Sequence, residues 1–386
     1  MYDAIVIGAR CAGSPTAMLL ARQGHRVLLI DRATFPSDTT STHLIHPQGV
    51  AALQRWGLLD ELIETGVPPL PELRLDFGAV VSDGTPAPVD GISEHYAPRR
   101  RVLDKLLLDA AVRAGAELRT QASVTGLLRA GDRVCGVRFS RPGGPDLRVL
   151  GRIVIGADGV DSTVAKHVGA AVYHDKGHLT CASYSHWSGI ASPRLTLYPG
   201  LGGAVREIPT HDGLTCVDAA WPVGEFDAVR TNIEERFTAA IERHAPDLTG
   251  RMRDAKREEP FFGTGRIPNF FRRSHGPGWA LAGDAANHKD PIGAHGISDA
   301  FRDADRVGHA VHAGLTGEAD LDSALAGCQL DREESAMPVY ELSAQLAALR
   351  PPTPELQGLV AALASNPPDA GRFIGVVAVG REAGGL

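Results

Sequence analysis

Apolar and polar positions alternate in blocks at the start of the chain. Residues 3–7 (DAIVI) are almost continuously apolar, which is typical of a strand buried on both faces of a parallel sheet. Residues 14–23 then place Ala17, Leu20 and Ala21 on one helical face, and residues 26–30 form a second apolar run. This order predicts a βαβ unit of about 30 residues.

Glycines and one acid mark the turns of this unit. Gly8 follows the first strand, Gly13 opens the helix, and Asp31 ends the second strand. A helix N-terminus presents unpaired N–H groups that suit a pyrophosphate, and a carboxylate in this place accepts hydrogen bonds from a ribose. Arg10 replaces the middle glycine of G-x-G-x-x-G, so its side chain must point away from the phosphates or contact the ligand. An ordinary α/β turn is the alternative, but the combination favours a nucleotide site.

Two later strands end in similar turns. Residues 149–155 precede GADGVDS at 156–162, and residues 279–282 precede Gly283 and Asp284. A carboxylate such as Asp158 or Asp284 can hold a sugar hydroxyl because both oxygens accept hydrogen bonds. For Asp158 and Ser162 the alternative, that both cap a helix, stays open.

The middle of the chain has a different period. Short alternating runs occur within residues 70–96 and 173–267, beginning at residues 73, 178, 194 and 213. Alternation between turn residues predicts an antiparallel sheet. Residues 304–364 are helical by period, with a break at residues 351–352 and a last helix at about 354–364. An apolar run at 371–380 is expected to cover the first domain or to form a dimer contact.

Composition narrows the class of protein. The chain has 386 residues, 43% apolar and 22% charged, with a formal charge of -7. It is large enough for an ample core, and its mild acidity disfavours nucleic acid as a partner. No apolar run approaches the ~18 residues of a membrane span. The five cysteines form no CxxC pair, so we expect no metal site and no disulfide framework, and a soluble cytoplasmic protein.

Taken together, these segments resemble the group A flavoprotein monooxygenase superfamily, which has the hydroxybenzoate-hydroxylase type of fold and includes geranylgeranyl reductases and flavin-dependent halogenases. The matching pieces are residues 8–13 with Asp31, RRRVLDKLLLDAAVRAGAE at 99, GADGVDS at 156 and GDAANHKDPIGAHGISDAFRDA at 283. The resemblance implies an α/β fold: a Rossmann-like FAD-binding domain (1–72, 97–172 and 268–310), an inserted antiparallel-sheet substrate domain (73–96 and 173–267) and a C-terminal helical region (311–386).

The resemblance also implies FAD as the cofactor, NAD(P)H as the electron donor and a set of cofactor-binding residues. Asp158 would serve both nucleotides, Asp284 would contact the ribityl chain, and Arg101 or the adjoining Arg100 would contact the flavin. Val124 matches the position whose backbone reads adenine, and the helix that starts at Ile297 would aim its N-terminus at the flavin ring. The remaining members of this set are Gly8, Arg10, Cys11, Ala12, Gly13, Asp31 and Arg32 at the first turn, Gly283, and Pro291, Gly293 and Gly296 over the ring.

Candidate catalytic residues are fewer. One interpretation of His43 is functional: it donates to the flavin or acts as an acid or base. The other is that it lies in the N-terminal cap region of a helix, and the two interpretations have equal support. Asp290 beside the ring would tune the flavin. For Lys289 we favour a surface pair with Asp290, and for His46 a solvated imidazole at a helix N-terminus.

The substrate side is less legible. Arg206 and Glu207 are expected to pair with each other. Candidates for the substrate-facing side of the sheet are equally well explained as sheet packing; they are Tyr184, His186, Trp187, Arg194, Tyr198, Arg206 and Trp221.

The function implied is an FAD-dependent, NAD(P)H-using monooxygenase that acts on a small aromatic or polyketide-like substrate, as a monomer or homodimer. A geranylgeranyl-reductase-like alkene reductase is the main alternative, although STH at 41–43 replaces the cysteine motif of those enzymes. A halogenase is disfavoured because W-x-W-x-I-P is absent: Trp187 is followed by Ser-Gly-Ile. A non-catalytic FAD-binding redox sensor is the remaining alternative.

Overall fold

The computed structural model describes residues 1–78, 81–350 and 358, and within them strands and helices alternate along the chain. The strands are β1 (Tyr2–Ile7), β2 (Val27–Ile30), β3 (Pro69–Leu70), β4 (Leu73–Asp76), β5 (Val81–Gly84), β6 (His95–Tyr96), β7 (Glu117–Arg119), β8 (Ser123–Ala130), β9 (Arg133–Ser140), β10 (Leu147–Gly156), β11 (Val172–His178), β12 (Thr180–Ser188), β13 (Leu195–Gly200), β14 (Gly203–Pro209), β15 (Thr215–Pro222), β16 (Lys256–Arg257), β17 (Phe262–Thr264), β18 (Pro268–Arg272), β19 (His275–Gly276), β20 (Trp279–Leu281) and β21 (Asn287–His288).

The helices are α1 (Gly13–Arg22), α2 (Pro47–Arg55), α3 (Leu59–Glu64), α4 (Arg100–Arg113), α5 (Thr163–Val168), α6 (Phe226–Thr231), α7 (Ile233–His244), α8 (Pro246–Met252), α9 (Gly296–Thr316) and α10 (Leu321–Ala347). Short 3-10 turns occur at His211–Gly213, Val223–Glu225, Gly283–Ala285 and Pro291–Gly293. None of the helices in the described ranges is long and apolar enough to cross a membrane.

A parallel sheet forms the first half of the molecule. Its order is β20, β10, β1, β2 and β7, with β19 antiparallel at one edge and the β8/β9 hairpin extending from β10. Ala4, Ile5 and Val6 are fully buried because helices α1, α4 and α9 cover one face while α5 and the hairpin cover the other. The register pairs Ile7 with Gly156 and Gly156 with Leu281, so three strands end at one edge.

The second large sheet has the order β16, β12, β15, β14, β13, β4 and β5, with β17 also paired to β12. Its strand pairs are antiparallel except for the parallel pair of β13 and β4. One face packs against α7 and α8 through Tyr198, Val217 and Phe237. The other face meets Leu44 and Ala97 of the parallel-sheet half and carries Tyr184.

The predicted α/β fold class is confirmed, including an antiparallel sheet built from the period-2 runs. The helix predicted at 14–23 runs from Gly13 to Arg22, and the one predicted from 297 to about 313 runs from Gly296 to Thr316. The domain boundaries stay a prediction. The last helix at 354–364 and the apolar run at 371–380 lie outside the described residues.

Candidate cofactor and substrate site

A cavity of about 690 Å³ lies between the carboxyl ends of the parallel strands and one face of the antiparallel sheet. We call its lower wall the floor: residues 8–13, the turns after β10 and β20, and residues 290–297. We call its upper wall the roof, formed by Ala182, Tyr184, Arg206 and Asp218 of β12, β14 and β15. Because Ile7, Gly156 and Leu281 are in register, motifs far apart in sequence meet at one edge of the sheet.

The turn after β1 leaves no space for a side chain at Gly8 or at Gly13. Gly8 has a φ of +97°, and a Cβ atom there would lie 2.2 Å from the Ala157 carbonyl oxygen. A Cβ atom on Gly13 would lie 1.7 Å from the Gly8 carbonyl oxygen, so helix α1 packs directly on the turn. Within the described chain, α1 has no side-chain cap and no acid in its first turn. Ser14 N–H already donates to the Arg10 carbonyl oxygen at 3.0 Å and Pro15 has no N–H, so the helix dipole and the N–H groups ahead of Ser14 are what suit an anionic pyrophosphate.

Asp31 holds this turn to the end of β2. Its Oδ2 accepts a hydrogen bond of 2.7 Å from the Ala9 N–H, and its Oδ1 accepts one of 2.7 Å from the Ala33 N–H. Asp31 and Arg32 both line the cavity. Each carboxylate oxygen has a second lone pair, so the same residue can organise the turn and accept a ribose hydroxyl.

Arg10, which replaces the middle glycine, is directed towards helix α4. Its guanidinium pairs with Asp104, which is fully buried, and also donates to Ser37 Oγ at 3.1 Å. Arg100 Nη2 lies 3.0 Å from the Asp104 Oδ1 atom, and the Cys11 thiol lies 3.4 Å from the same oxygen. Burial raises the pKa of the Cys11 thiol, so this cysteine stays neutral. The two guanidiniums and the one carboxylate together carry a net charge of +1.

The three adjoining arginines separate on α4. Arg99 precedes the helix and pairs with Glu259 at 2.8 Å. Arg100 lines the cavity, whereas the Arg101 side chain is 51% exposed and lies 3.6 Å from Asp212 outside the cavity. Successive helical residues point about 100° apart, so only one of them can face the site. The geometry therefore assigns the cavity position to the alternative, Arg100, rather than to Arg101.

Asp158 acts as a helix cap in this structure. Its Oδ2 accepts from the Thr163 N–H at 2.6 Å, and its Oδ1 accepts from the Ser162 hydroxyl at 2.5 Å. Ser162 Oγ in turn accepts from the Ala165 N–H at 3.0 Å. The capping alternative is thus realised, and Asp158 also lines the cavity. Val124, at the start of β8, lines the same end of the cavity.

Asp284 differs from Asp158 because it is exposed on the cavity wall. The preceding Gly283 is fixed from behind: its N–H donates to Asp303 Oδ2 at 2.9 Å, and Arg332 pairs with that carboxylate at 2.9 Å. A Cβ atom on Gly283 would lie 2.9 Å from the Ala12 Cβ atom, so this turn packs against the first one. The Asp284 carboxylate is therefore presented to the cavity by a rigid support.

The strip from residue 290 to 297 continues the floor. Asp290 accepts a hydrogen bond from the Thr180 hydroxyl at 2.7 Å and another from the Ile292 N–H at 3.1 Å, so it caps the turn Pro291–Gly293. Burial raises its pKa. Pro291, Gly296 and Ile297 line the cavity, as does Asp290. Gly293 is not part of the lining, and a Cβ atom there would lie 2.8 Å from the ring of His295.

The expected surface pair of Lys289 with Asp290 is wrong. Lys289 is 8% exposed and pairs with Asp299 in the first turn of α9, which also contacts Arg302. Despite its burial, these two cations hold the pKa of Asp299 well below the usual range. Lys289 follows the short strand β21, which pairs with β18, and it lines the cavity together with Asp299.

The solvated position expected for His46 is also wrong. His46 precedes α2 as predicted, but it is 3% exposed and its Nε2 lies 2.9 Å from the Gly293 carbonyl oxygen. Its ring stacks on His295 at 4.5 Å, and His95 packs at 5.2 Å on its edge. Burial lowers the pKa of His46 to about 4 and that of His95 to about 3. These imidazoles are neutral packing groups beneath the floor.

His43 lies behind the cavity wall. Its Nε2 is 3.2 Å from His186 Nε2, and His186 Nδ1 is 2.8 Å from Glu259. Thr42 and Leu44 line the cavity, but His43 does not. Burial, with the neighbouring His186, lowers the pKa of His43 well below its usual range. His43 therefore contacts the site through neighbouring residues.

The expected pair of Arg206 with Glu207 is wrong because successive strand residues point to opposite faces. Arg206 faces the cavity, where its Nε lies 2.8 Å from Asp218 Oδ1 and its Nη1 donates to the Ile292 carbonyl at 2.9 Å. Glu207 faces α8 and pairs with Arg251 at 2.5 Å. Sequence reasoning missed Asp218, although an isolated charge in the apolar run at 213–223 is a detectable signal.

The other residues proposed to face the substrate lie on different faces of the antiparallel sheet, some on the cavity side and some on the side covered by helices. Tyr184 lines the cavity. Trp187 instead stacks with Phe237 at 6.5 Å on the helix-covered side, and Tyr198 donates to Asp247 at 3.1 Å there. Arg194 lies 3.1 Å from Glu72, away from the cavity.

Comparison with known proteins places this geometry in a family. The family described as FAD binding domain matches residues 1–341, most of the chain. The chain belongs to the FAD binding domain family. It is an FAD-dependent oxidoreductase, and its predicted membership of the group A flavoprotein monooxygenase superfamily is confirmed. The uncapped end of α1, the glycine cradle and the exposed Asp284 fit the FAD that this family binds.

Curated proteins of two kinds, reductases and monooxygenases, are similar to this chain. The digeranylgeranylglycerophospholipid reductase of Methanosarcina acetivorans is 26% identical over 333 residues, which is 83% of this chain and 78% of that protein. The rifampicin monooxygenase of Streptomyces venezuelae is 25% identical over 338 residues, 83% of this chain and 66% of that protein. A tetracycline-type monooxygenase of Streptomyces rimosus, "12-dehydrotetracycline 5-monooxygenase/anhydrotetracycline 6-monooxygenase", is 26% identical over 93% of this chain and 72% of its own length.

Two solved structures share the fold of this chain. The flavin-dependent brominase Bmp2 superimposes with a TM-score of 0.85 at 18% identity, covering 98% of this chain and 93% of its own. A flavoprotein/dehydrogenase from Cytophaga hutchinsonii gives a TM-score of 0.83 at 20% identity, covering 98% and 92%. At these identities the likeness concerns the fold alone.

Proposed function

We propose that this FAD-dependent oxidoreductase is a monooxygenase that uses NAD(P)H and oxygenates a small aromatic or polyketide-like substrate. The observation that carries the proposal is the roof of the cavity. Beside the floor strip, it presents a buried ion pair of Arg206 and Asp218 together with Tyr184. Such a wall suits a ring compound with polar substituents. The similarity to rifampicin and tetracycline-type monooxygenases supports the same substrate class.

FAD, when bound, supplies the redox chemistry of such an enzyme, taking hydride from a nicotinamide and activating O2. The chain's part is to bind and orient. We propose that the N-terminus of α1 holds the pyrophosphate, that Asp31 and Asp284 hold sugar hydroxyls, and that Arg100 adds positive charge. The uncapped N-terminus of α9 and the turn Pro291–Gly293 lie on the side of the cavity next to the roof.

The catalytic roles of His43 and Asp290 stay predictions, and their contacts favour positioning. Asp290 fixes the turn Pro291–Gly293 through the Ile292 N–H and ties it to β12 through Thr180. His43 packs against His186 and Tyr184, which reaches the cavity wall. We propose that both residues keep floor and roof in register while water is excluded between them.

A second candidate is the reduction of an alkene by a geranylgeranyl-reductase-like enzyme. The similarity to the Methanosarcina acetivorans reductase favours it. Against it, a hydrocarbon chain offers no partner to the roof charges, which would stay desolvated. The same fold serves both reactions, so the choice depends on what the roof binds.

The deciding experiment mixes purified, FAD-loaded protein with NADPH under anaerobic conditions and then admits O2 in the presence of aromatic test compounds. We expect NADPH consumption that rises with a suitable compound and a product heavier by one oxygen atom. Reduction of a prenyl alkene without O2 would instead assign the reductase function. Protein that takes up no FAD, judged by the visible absorption of oxidised flavin, would contradict both.

A further inference from the structure

Three side chains form one row across the roof. Tyr184 of β12 is the direct cross-strand partner of Asp218 of β15, and Asp218 is the direct partner of Arg206 of β14. Directly opposed residues share a face of the sheet, and all three line the cavity. The row thus brings a phenol, a carboxylate and a guanidinium to the same wall.

The carboxylate in this row is only half used. Asp218 is 1% exposed, and its Oδ1 accepts from Arg206 Nε at 2.8 Å, but its buried Oδ2 has no hydrogen-bond partner among the described residues. Arg206 uses Nη1 for the Pro291 and Ile292 carbonyls, while its Nη2 makes no hydrogen bond within the described chain. The pair therefore retains one acceptor and one donor.

The surroundings of the row make the two unpaired atoms, Asp218 Oδ2 and Arg206 Nη2, unfavourable for stability. On one side of the row lie Ala182, Ala204 and Ala220. On the other side lie Ile208, Cys216 and His186, and the His186 Nδ1 atom is 2.8 Å from Glu259. A buried ion pair in apolar surroundings contributes little to stability, and an unpartnered carboxylate oxygen adds a desolvation cost. Of the neighbouring alanines, Ala182 lines the cavity together with Arg206 and Asp218. Retaining such a pair is explained if a ligand completes its hydrogen bonds.

We propose that Asp218 and Arg206 form the substrate-recognition site, which binds an aromatic or polyketide ring carrying a hydroxyl or N–H donor beside an oxygen acceptor. The donor hydrogen-bonds to Asp218 Oδ2, and the adjacent oxygen accepts from Arg206 Nη2. This inference rests on the proposed function and adds to it the substituents that the substrate must have. It also makes Asp218 a specificity-determining residue.

The test measures binding rather than turnover. FAD-loaded protein is titrated calorimetrically with catechol and with 2,3-dihydroxynaphthalene, which place two hydroxyls side by side, and with the dimethyl ether of each. Each ether keeps the ring and both oxygens but cannot donate to Asp218. We expect each hydroxyl compound to bind about 10- to 100-fold more tightly than its ether.

Asp218→Asn assigns this preference to one atom. With the amide oxygen still accepting from Arg206, the amide N–H2 takes the place of Oδ2 and donates instead of accepting. The ratio of the two dissociation constants should then fall to about one. Glu207→Gln is the matched control, because it removes a buried charge from the adjacent strand β14 on the opposite face of the sheet, and it should leave the ratio unchanged.

A stability loss in Asp218→Asn would not prevent the test. The double variant Arg206→Gln with Asp218→Asn removes both charges together, and the same ratio is then measured. A purely structural role for the pair would lower the unfolding temperature without changing the ratio. An unchanged ratio overturns the proposal, and so does an absence of saturable binding by either hydroxyl compound. A crystal structure in which only a water molecule contacts Asp218 Oδ2 while the bound probe lies elsewhere overturns it as well.

Failure of this inference is distinguishable from failure of the proposed function. If the FAD-loaded protein oxygenates a compound that has no hydrogen-bond donor, the monooxygenase function is supported and the proposed role of Asp218 is contradicted. Selective binding of the hydroxyl compounds without any oxygenated product would do the reverse.

Discussion

The floor and the roof of the cavity are built in different ways. The floor presents mainly backbone, in glycine turns, two uncapped helix N-termini and the capped turn Pro291–Gly293, and adds the exposed carboxylate of Asp284. The roof presents side chains whose positions depend on the strand register. A backbone surface is limited by space and dihedral angles, whereas a side-chain surface is limited by charge balance. Changes in the floor should therefore affect the bound cofactor, and changes in the roof should affect which substrate is selected.

The largest effect should follow from Gly13→Ala. The new Cβ atom would lie 1.7 Å from the Gly8 carbonyl oxygen, so the helix must move off the turn. We expect a loss of about 3 kcal/mol or more in the free energy of unfolding, together with loss of FAD. Chemical denaturation and flavin absorbance measure the two. Gly308→Ala in α9 is the control, since its Cβ would meet Leu19 at an ordinary 3.5 Å; equal damage there would refute the steric argument.

A comparison of Arg100→Ala with Arg101→Ala tests which arginine belongs to the floor. Removing Arg100 takes one of two cations from the buried Asp104 and one positive charge from the cavity, so FAD affinity and stability should both fall, the latter by about 2–3 kcal/mol. Removing the half-exposed Arg101 should cost less than about 0.5 kcal/mol. FAD titration of both proteins decides; the opposite order would place Arg101 at the flavin.

Asp284→Ala should weaken FAD binding without unfolding the protein. The carboxylate is exposed on the cavity wall, so its loss removes charge-assisted hydrogen bonds to the cofactor, a change of about 10- to 100-fold in affinity. Asp254→Ala, an exposed carboxylate outside the cavity, is the matched control. Unchanged FAD occupancy in Asp284→Ala would remove this residue from the cofactor site.

The smallest effect concerns pH and the histidines beneath the floor. The pKa of His95 is lowered from 6.5 to about 3 by burial, so below about pH 6.5 the unfolded chain binds a proton that the folded chain does not. The free energy of unfolding should decline by about 2 kcal/mol for this residue between about pH 7 and about pH 5. Denaturant titrations at both pH values should show a smaller decline in His95→Gln. The exposed His178→Gln serves as control, and a steep decline retained in His95→Gln would contradict this origin.

The sequence allowed the floor to be predicted because its determinants are local. A strand, two glycines and an acid within residues 3–31 define the turn, and the register of Ile7, Gly156 and Leu281 then brings the distant turns together. Asp31 and Asp158, predicted from the sequence to bind the cofactor, both line the cavity, but their backbone contacts depend on the fold. Arg100 and Arg101 are neighbours on helix α4 and point about 100° apart, and only Arg100 lines the cavity.

The roof was harder to predict because pairing across strands is set by register. Arg206 pairs with Asp218 rather than with its neighbour Glu207, and His43 contacts His186, far away in the chain. Lys289 was misjudged for a related reason, since its partner Asp299 comes from the next helix. Local spacing carries no information about such partners. The isolated charge of Asp218 in an apolar run marks the residue as unusual but does not identify Arg206 as its partner.

The order of strands in the parallel sheet has a consequence for synthesis. The carboxyl end of β10 pairs with β1 on one side and with β20 on the other. Because β20 is translated more than a hundred residues later, Val154 has no strand partner until Trp279 has been synthesised. At about 5–20 residues per second, this interval lasts on the order of ten seconds. Meanwhile the nascent chain exposes the unpaired N–H and C=O groups of an apolar edge. Slow translation between residues 156 and 279 should therefore favour aggregation on the ribosome, a hazard that chaperones acting on the growing chain would relieve.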